Sequence, residues 1–288
     1  MSTPSPETPR TPGGTTRVVG VIGDPVTHSL SPRLHNAAFA ACGLDWVYVA
    51  FPVARGRGGA AVAAARDLGL AGLNVTMPHK AEVAAACDEL TADAATLASV
   101  NTVVIRPDGT ALGATTDGDG FLAAVAGDGI EVAGRSVLVL GAGGAARAVV
   151  LALGRAGAAV TVAARRMEAA ETAAAPVAGA KALLLADAAA QADAYEVVVN
   201  ATPLGMGGEP PPFDPGLLGS RHTVVDLVYH PAETPLLATA RARGARTQNG
   251  LPMLVHQAAL SFRLWTGVEA PVEVMRTAAE AVLRARTG

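Results

Sequence analysis

The chain has 288 residues, half of them hydrophobic, only 3% aromatic, with a formal net charge of −3. That length holds two domains or one large one, and the absence of any basic stripe argues against a nucleic-acid surface. No apolar run is long and unbroken enough to span a bilayer, and neither the two cysteines, Cys42 and Cys87, nor the six histidines fall at metal-ligand spacing, so no metal is expected.

Residues 1–16 carry Pro4, Pro6, Pro9 and Pro12 among Ser, Thr and Gly. That composition buries too little apolar surface to order itself and reads as a flexible tail. It lacks the apolar core of a secretory signal, and the cysteines read as buried thiols in a reducing compartment, so a soluble cytoplasmic protein is expected.

Strands are expected at Arg17–Ile22, Trp46–Phe51 and Gly72–Val75, with helices at Pro32–Cys42 and Gly59–Leu68 between them. Thr102–Ile105 and Ala111–Ala114 flank Pro107-Asp108-Gly109, a turn signature, and read as a hairpin. At Asp117-Gly118-Asp119-Gly120 two glycines interrupt the pattern and suggest a domain boundary. A second series follows: strand Ser136–Leu140, a glycine loop, a helix to about Arg155, then strands at Val160–Ala163, Val197–Asn200 and Thr223–Leu227. Two helices, broken near Gly267 and Pro271, complete the chain from Leu251. Alternating strands and helices predict an α/β fold with parallel, doubly wound sheet and helices on both faces.

Gly141-Ala142-Gly143-Gly144-Ala145-Ala146 matches the G-x-G-x-x-[G/A] dinucleotide fingerprint, in the strand-to-helix context that gives it meaning. Gly141 permits the tight turn, Gly143 admits the pyrophosphate, and Ala146 allows close helix–strand packing. The N–H groups of the helix start then face the phosphates. NAD enzymes place a carboxylate about 20 residues on, for the ribose 2′-hydroxyl. Here Arg165 and Arg166 stand instead, Arg165 being 19 residues past Ala146. Guanidinium groups pair with phosphate, so NADP is expected over NAD; a solvated strand end is the bland alternative.

Only two of the 22 basic residues are lysines, and one, Lys80, lies in Asn74-Val75-Thr76-Met77-Pro78-His79-Lys80. Arginine keeps its proton in a protein, whereas a lysine can part with it, so an amine in this motif points to proton transfer. The first half of the chain also presents Ser29 and Ser31 around Leu30 before a proline-started helix. One hydroxyl there could simply cap the helix; two can also hold a carboxylate. Thr76 ends a strand before Pro78, read as the start of the next helix. Ser99-Val100-Asn101-Thr102 and Thr115-Thr116-Asp117-Gly118 complete the polar set.

Taken in order, these motifs resemble the shikimate/quinate dehydrogenase family over almost the whole chain after the tail. They run from His28-Ser29-Leu30-Ser31-Pro32 through Asn74–Lys80, Ser99–Thr102, Thr116-Asp117-Gly118 and the Gly141 loop to Arg147. Asn200-Ala201-Thr202-Pro203-Leu204-Gly205-Met206, Asp226–Leu237 and Asn249–Gln257 follow. The resemblance implies reversible hydride transfer between NADPH and 3-dehydroshikimate, with Lys80 and Asp117 as the catalytic pair. It implies that Ser29 and Ser31 hold the substrate carboxylate, with Tyr229 close to it, and that Thr76, Asn101 and Gln257 bind the ring hydroxyls. Thr202, Met206, Gly250 and Met253 would lie along the cofactor, together with Gly141, Ala142, Gly143, Gly144, Ala145, Arg165 and Arg166. A substrate domain of residues 17–117 with 252–288, and an NADP domain of residues 118–251, would follow, with the last helices returning to the first domain. Where the family often has Asn-Arg-Thr after the second strand, this chain has Ala164-Arg165-Arg166. His79, one residue from Lys80, points about 100° away on a helix and reads, like His28, as structural.

Three rivals remain at this stage. A quinate or mixed quinate/shikimate dehydrogenase would fit an extra hydroxyl near Ser29 and Ser31. A non-catalytic nucleotide-binding sensor would not need both Lys80 and Asp117. A methylene-tetrahydrofolate dehydrogenase would need a pterin surface, for which no suitably placed aromatic residues are evident. Monomer and homodimer are both compatible with the sequence.

Overall fold

The protein is described here from a computed structural model over residues 11–287. It forms two compact units. Unit 1 comprises the chain up to Glu89, Val100–Gly113 and the chain from Ser261; unit 2 comprises Leu90–Ser99 and Ala114–Leu260. Leu90–Ser99 belongs to unit 2 although the segments on either side of it belong to unit 1.

In chain order the elements begin with β1 (Arg17–Gly23), α1 (Ser31–Ala41), β2 (Trp46–Pro52), α2 (Gly58–Asp67), β3 (Gly72–Val75), α3 (Lys80–Ala86), β4 (Glu89–Leu90), α4 (Ala92–Leu97), β5 (Thr102–Ile105) and β6 (Ala111–Ala114). The first sheet has the order β2-β1-β3-β5-β6-β4. β1 pairs in parallel with β2 and β3, while β5 runs antiparallel to β3, with Asn74 opposite Thr102. β1 is buried from Val19 to Gly23, as a central strand covered on both faces should be. α1 starts with Pro32 in its first turn and buries Leu34, His35, Ala38 and Phe39, the stripe expected of one face. The Asn36 side chain clamps the outer edge of β2: its Nδ2 donates to the Tyr48 carbonyl and its Oδ1 accepts from the Tyr48 N–H, each at 2.8 Å.

The second half supplies α5 (Asp117–Gly127), β7 (Ser136–Leu140), α6 (Gly144–Arg155), β8 (Ala159–Ala164), α7 (Met167–Ala174), β9 (Lys181–Leu184) and α8 (Leu185–Gln191). These are followed by β10 (Val197–Asn200), β11 (Thr223–Asp226), α9 (Pro235–Ala242), β12 (Arg246–Gln248), α10 (Leu251–Thr266) and α11 (Val272–Thr287). The sheet order is β12-β11-β10-β7-β8-β9 and every pairing is parallel. Two βαβ series diverge from β7, so the order reverses between β7 and β10; that crevice at the carboxyl edge is where a doubly wound sheet binds ligands. One core cluster takes Val137, Val139, Val149, Val162 and Val199 with Phe121; another takes Leu138, Leu140, Val198, Leu236 and Leu237 on the opposite face.

Two local expectations need correction. Asp117-Gly118-Asp119-Gly120, where the glycines read as an interruption, forms the first turn of α5. A Cβ on Gly118 would lie 2.7 Å from the Ala148 carbonyl of α6, and one on Gly120 would lie 2.7 Å from the Gln257 N. These glycines serve close helix approach. The expected tail, residues 1–16, lies outside the described residues over 1–10. Its end is anchored: the Thr16 hydroxyl accepts from the Gly13 N–H at 2.8 Å, and Thr15 and Thr16 donate to Asp45 at 2.9 and 2.7 Å. Cys42 and Cys87 are free and half-buried rather than fully enclosed; burial pushes the Cys87 thiol up to about 11.

Candidate active site

In unit 1 the candidate substrate groups gather at the carboxyl ends of β1 and β3. The Thr76 N–H donates to the Ile22 carbonyl at 3.0 Å, and the Asp24 N–H to the Met77 carbonyl at 3.0 Å, so the Thr76 segment is tied to the end of β1. Val75 N–H donates to the Asn101 carbonyl at 2.8 Å and Val100 N–H to the Lys80 carbonyl at 3.0 Å, which sets Lys80 and Asn101 on adjoining backbone. α3 begins at Lys80 itself, with His79 as its cap, and Pro78 precedes the helix in a turn. His79 is fully buried, its Nε2 2.8 Å from the Val53 carbonyl, and is a packing residue. His28 is exposed. Ser29 accepts from the Ser31 N–H at 3.2 Å, placing the two serines together at the start of α1.

Behind these groups lies an enclosed polar cluster with no obvious signature in the sequence. Tyr48 donates to Asn74 Oδ1 at 2.7 Å. Asn74 Nδ2 reaches the Asn101 carbonyl, Thr102 Oγ1 and Ser261 Oγ, each at 3.1 Å. Thr102 donates to Asn101 Oδ1 at 2.9 Å and lies 2.8 Å from Ser261 Oγ. Burial drives the Tyr48 phenol well above its ordinary pKa, an effect the nearby Ser31 hydroxyl opposes. His35 stacks on Tyr48 at 4.4 Å between ring centres, and neither of its ring nitrogens has a hydrogen-bond partner.

In unit 2 the candidate nucleotide groups line the carboxyl edge of the parallel sheet. Gly141 has φ 114°, a conformation that favours glycine, and a Cβ there would lie 2.9 Å from the Ala201 carbonyl. Gly143 caps α6 in an extended conformation with open space where a side chain would be; Gly144 and Ala145 form the first turn, with no side chain capping their N–H groups. Ala142 is half-buried beside them. Arg165 and Arg166 follow β8, are exposed, and form no ion pair with another described residue. These features fit a dinucleotide diphosphate at the helix start and an anionic ribose substituent at the β8 end.

Two further loops at that edge converge on one carboxylate. Asp226 is fully buried and accepts from Thr234 at 2.6 Å, Asn200 Nδ2 at 2.9 Å and the Val228 N–H at 3.0 Å. Burial raises its pKa despite those three donors. Asn200 Oδ1 in turn accepts from the Thr202 hydroxyl at 2.6 Å. Thr202 is thus held by that network and is half-buried, Tyr229 is half-buried beyond Val228, and Met206 is exposed. A Cβ on Gly250 would lie 2.0 Å from the Leu227 carbonyl, so that glycine is required for the β11 loop to pass the start of α10. Met253 is a member of the core cluster. Gln257 Nε2 donates to the Leu254 carbonyl at 2.8 Å, and Asp117 is buried at the start of α5. Lys80 belongs to unit 1 and Asp117 to unit 2. Among the described residues no cluster of three His, Cys, Asp or Glu could hold a metal ion, and no helix is long and apolar enough to cross a membrane.

Unit 2, with this strand order and glycine loop, is a doubly wound dinucleotide-binding sheet. Three family models match the chain: the shikimate dehydrogenase substrate binding domain over residues 21–103, shikimate / quinate 5-dehydrogenase over 124–204, and the shikimate 5′-dehydrogenase C-terminal domain over 250–280. A shikimate dehydrogenase (NADP(+)) of Symbiobacterium thermophilum is 47% identical, covering 96% of this chain and 97% of its own length. A shikimate dehydrogenase crystallised in complex with NADP+ superposes with a TM-score of 0.91 at 38% identity, covering 97% of this chain and 99% of its own. The quinate dehydrogenase of Corynebacterium glutamicum in complex with NAD gives 0.86 at 35% identity, over 92% and 99%. The chain belongs to the shikimate dehydrogenase family.

Proposed function

We propose that this chain is an NADP-dependent shikimate dehydrogenase that interconverts 3-dehydroshikimate and shikimate, with the glycine loop of unit 2 holding the nucleotide. The observation that carries this reading is that Thr76, Lys80 and Asn101 stand on backbone segments tied together near the ends of β1 and β3, with Ser29 and Ser31 paired at the start of α1. These groups match a carboxylate and several ring hydroxyls with one proton-transfer group. Bound NADP supplies the two-electron acceptor for the oxidation and, reduced, the donor for the reverse.

Oxidation removes a hydride from the carbinol carbon and a proton from its oxygen. Lys80 Nζ takes that proton and returns it in the reverse direction, which requires hydrogen-bond reach of the reacting oxygen. Asp117 is proposed as its partner, orienting the amine. Ser29 and Ser31 donate to the carboxylate, with Tyr229 near it; Thr76, Asn101 and Gln257 take the ring hydroxyls. Gly141, Ala142, Gly143, Gly144 and Ala145 cradle the diphosphate. Arg165 and Arg166 receive the 2′-phosphate. Thr202, Met206, Gly250 and Met253 would lie along the cofactor. A cytoplasmic setting is proposed, in keeping with two free thiols.

The test crosses shikimate and quinate with NADP and NAD and follows nicotinamide absorbance. The reading expects the highest kcat/KM for shikimate with NADP. A preference for quinate, or for NAD, would overturn the corresponding half of it.

A further inference from the structure

The enclosed cluster of unit 1 has a direction of hydrogen bonding that can be followed atom by atom. Tyr48 has one proton and gives it to Asn74 Oδ1. That fixes the Asn74 amide, so its Nδ2 donates towards Thr102 Oγ1, with the Asn101 carbonyl and Ser261 Oγ at the same distance. Thr102 thus already receives a hydrogen from Asn74 and has a single proton of its own. It spends that proton on Asn101 Oδ1 at 2.9 Å, and the 2.8 Å contact with Ser261 then has Ser261 as donor. Thr102 and Ser261 are fully buried, and Asn101 is nearly so. In such surroundings a reversed amide would turn an N–H towards Thr102 and upset the order.

We propose that Thr102 is a positioning residue: it holds Asn101 with Oδ1 turned inward, so that Nδ2 is the atom offered to the substrate. The inference rests on the substrate reading above and deepens it. Asn101 then acts as a hydrogen-bond donor. It selects an oxygen that accepts, and the proton of the ring hydroxyl it binds is left for another group. Without the Thr102 hydroxyl the buried Asn101 Oδ1 loses the donor that faces it at 2.9 Å.

The experiment compares Thr102→Val, Thr102→Ser and Ser261→Ala in the full chain, reading kcat, KM for shikimate and Kd for NADP. Val keeps the volume and loses the donor. It is expected to raise KM about two- to tenfold, the range of one hydrogen bond, with Kd for NADP unchanged. Ser keeps the hydroxyl and restores KM. Ser261→Ala also deletes a buried hydroxyl but leaves Thr102 with Asn101 as its acceptor, so its KM stays near that of the unaltered chain. A merely structural cluster would make Val and Ala equivalent, and that result overturns the proposal. So does an unchanged KM for Val, or a Ser variant as impaired as Val. Should Val fail to fold, Thr102→Cys, close in volume and a weak donor, is compared with Ser on the same terms. An unaltered chain that binds NADP but leaves shikimate untouched overturns the substrate reading and this inference with it.

Discussion

His35 is the residue whose replacement tests the physical account of unit 1 most directly. Its ring is fully buried, 4.4 Å from Tyr48 in a parallel stack and 5.3 Å from Trp265, with Phe39 and Phe262 beyond. Neither nitrogen has a partner, and burial lowers its pKa from 6.5 to about 3. His35→Phe removes two unsatisfied polar atoms from an aromatic cage. The gain is ~1–3 kcal/mol for the unsatisfied group, set against ~1 kcal/mol for a larger ring in a packed core. A net stabilisation of ~1 kcal/mol is expected at pH 8. Acid should widen the gap. Because the folded-state pKa is depressed, the unfolded chain binds the proton first as pH falls below 6.5, and the native state resists it until about 3. Stability from this group is full above that window and falls by ~1.4 kcal/mol per pH unit within it. At pH 5 the unsubstituted chain has lost ~2 kcal/mol that the Phe variant keeps. Both tryptophans, Trp46 and Trp265, lie in unit 1, so urea unfolding followed by their fluorescence reports on that unit alone. A stability difference that is the same at pH 8 and pH 5 would refute the reasoning, because it would mean that His35 titrates alike in both states.

Lys80→Ala is expected to cut kcat by ~10²–10⁴, the range for one acid–base group, with a much smaller change in KM; equal losses in steady-state kinetics would make Lys80 a binding residue only. Arg165→Asp should shift the NADP/NAD preference by ~10- to 100-fold towards NAD, since one charge-assisted contact is lost and a carboxylate faces the ribose; parallel kcat/KM measurements with both nucleotides decide it. Asp226→Ala strands three buried donors and should cost ~3 kcal/mol or more, seen as a lowered melting midpoint by circular dichroism. Asp226→Asn, keeping one oxygen for Val228 and Asn200, should cost less.

The regular elements were largely legible before any coordinates. Ser136–Leu140, Val197–Asn200 and Thr102–Ile105 are short apolar runs bounded by breakers, and they form where that pattern places them. The glycine loop was legible because glycine at positive φ, followed by an uncapped helix, leaves a mark in sequence. The start of α5 is not legible: Gly118 and Gly120 resemble breakers locally, and only the nearness of α6 and Gln257 explains them. The cluster of Tyr48, Asn74, Thr102 and Ser261 was opaque for the same reason. Tyr48 and Ser261 sit in β2 and α10, where they read as an ordinary strand aromatic and a helix hydroxyl. Their partnership comes from strand register and from the return of the chain after residue 260, neither of which has a local signature.

Asn36 carries a consequence for how this protein behaves at high concentration. β2 is the outermost strand of its sheet, and an unprotected border of that kind can template pairing with a neighbouring chain. The Tyr48 peptide is the part of that border engaged by Asn36 through both N–H and carbonyl. A foreign strand seeking to extend the sheet there meets a side chain already occupying the rung it needs. The carboxamide works as a bolt against self-assembly, placed on the far side of the same tyrosine whose phenol serves the polar cluster.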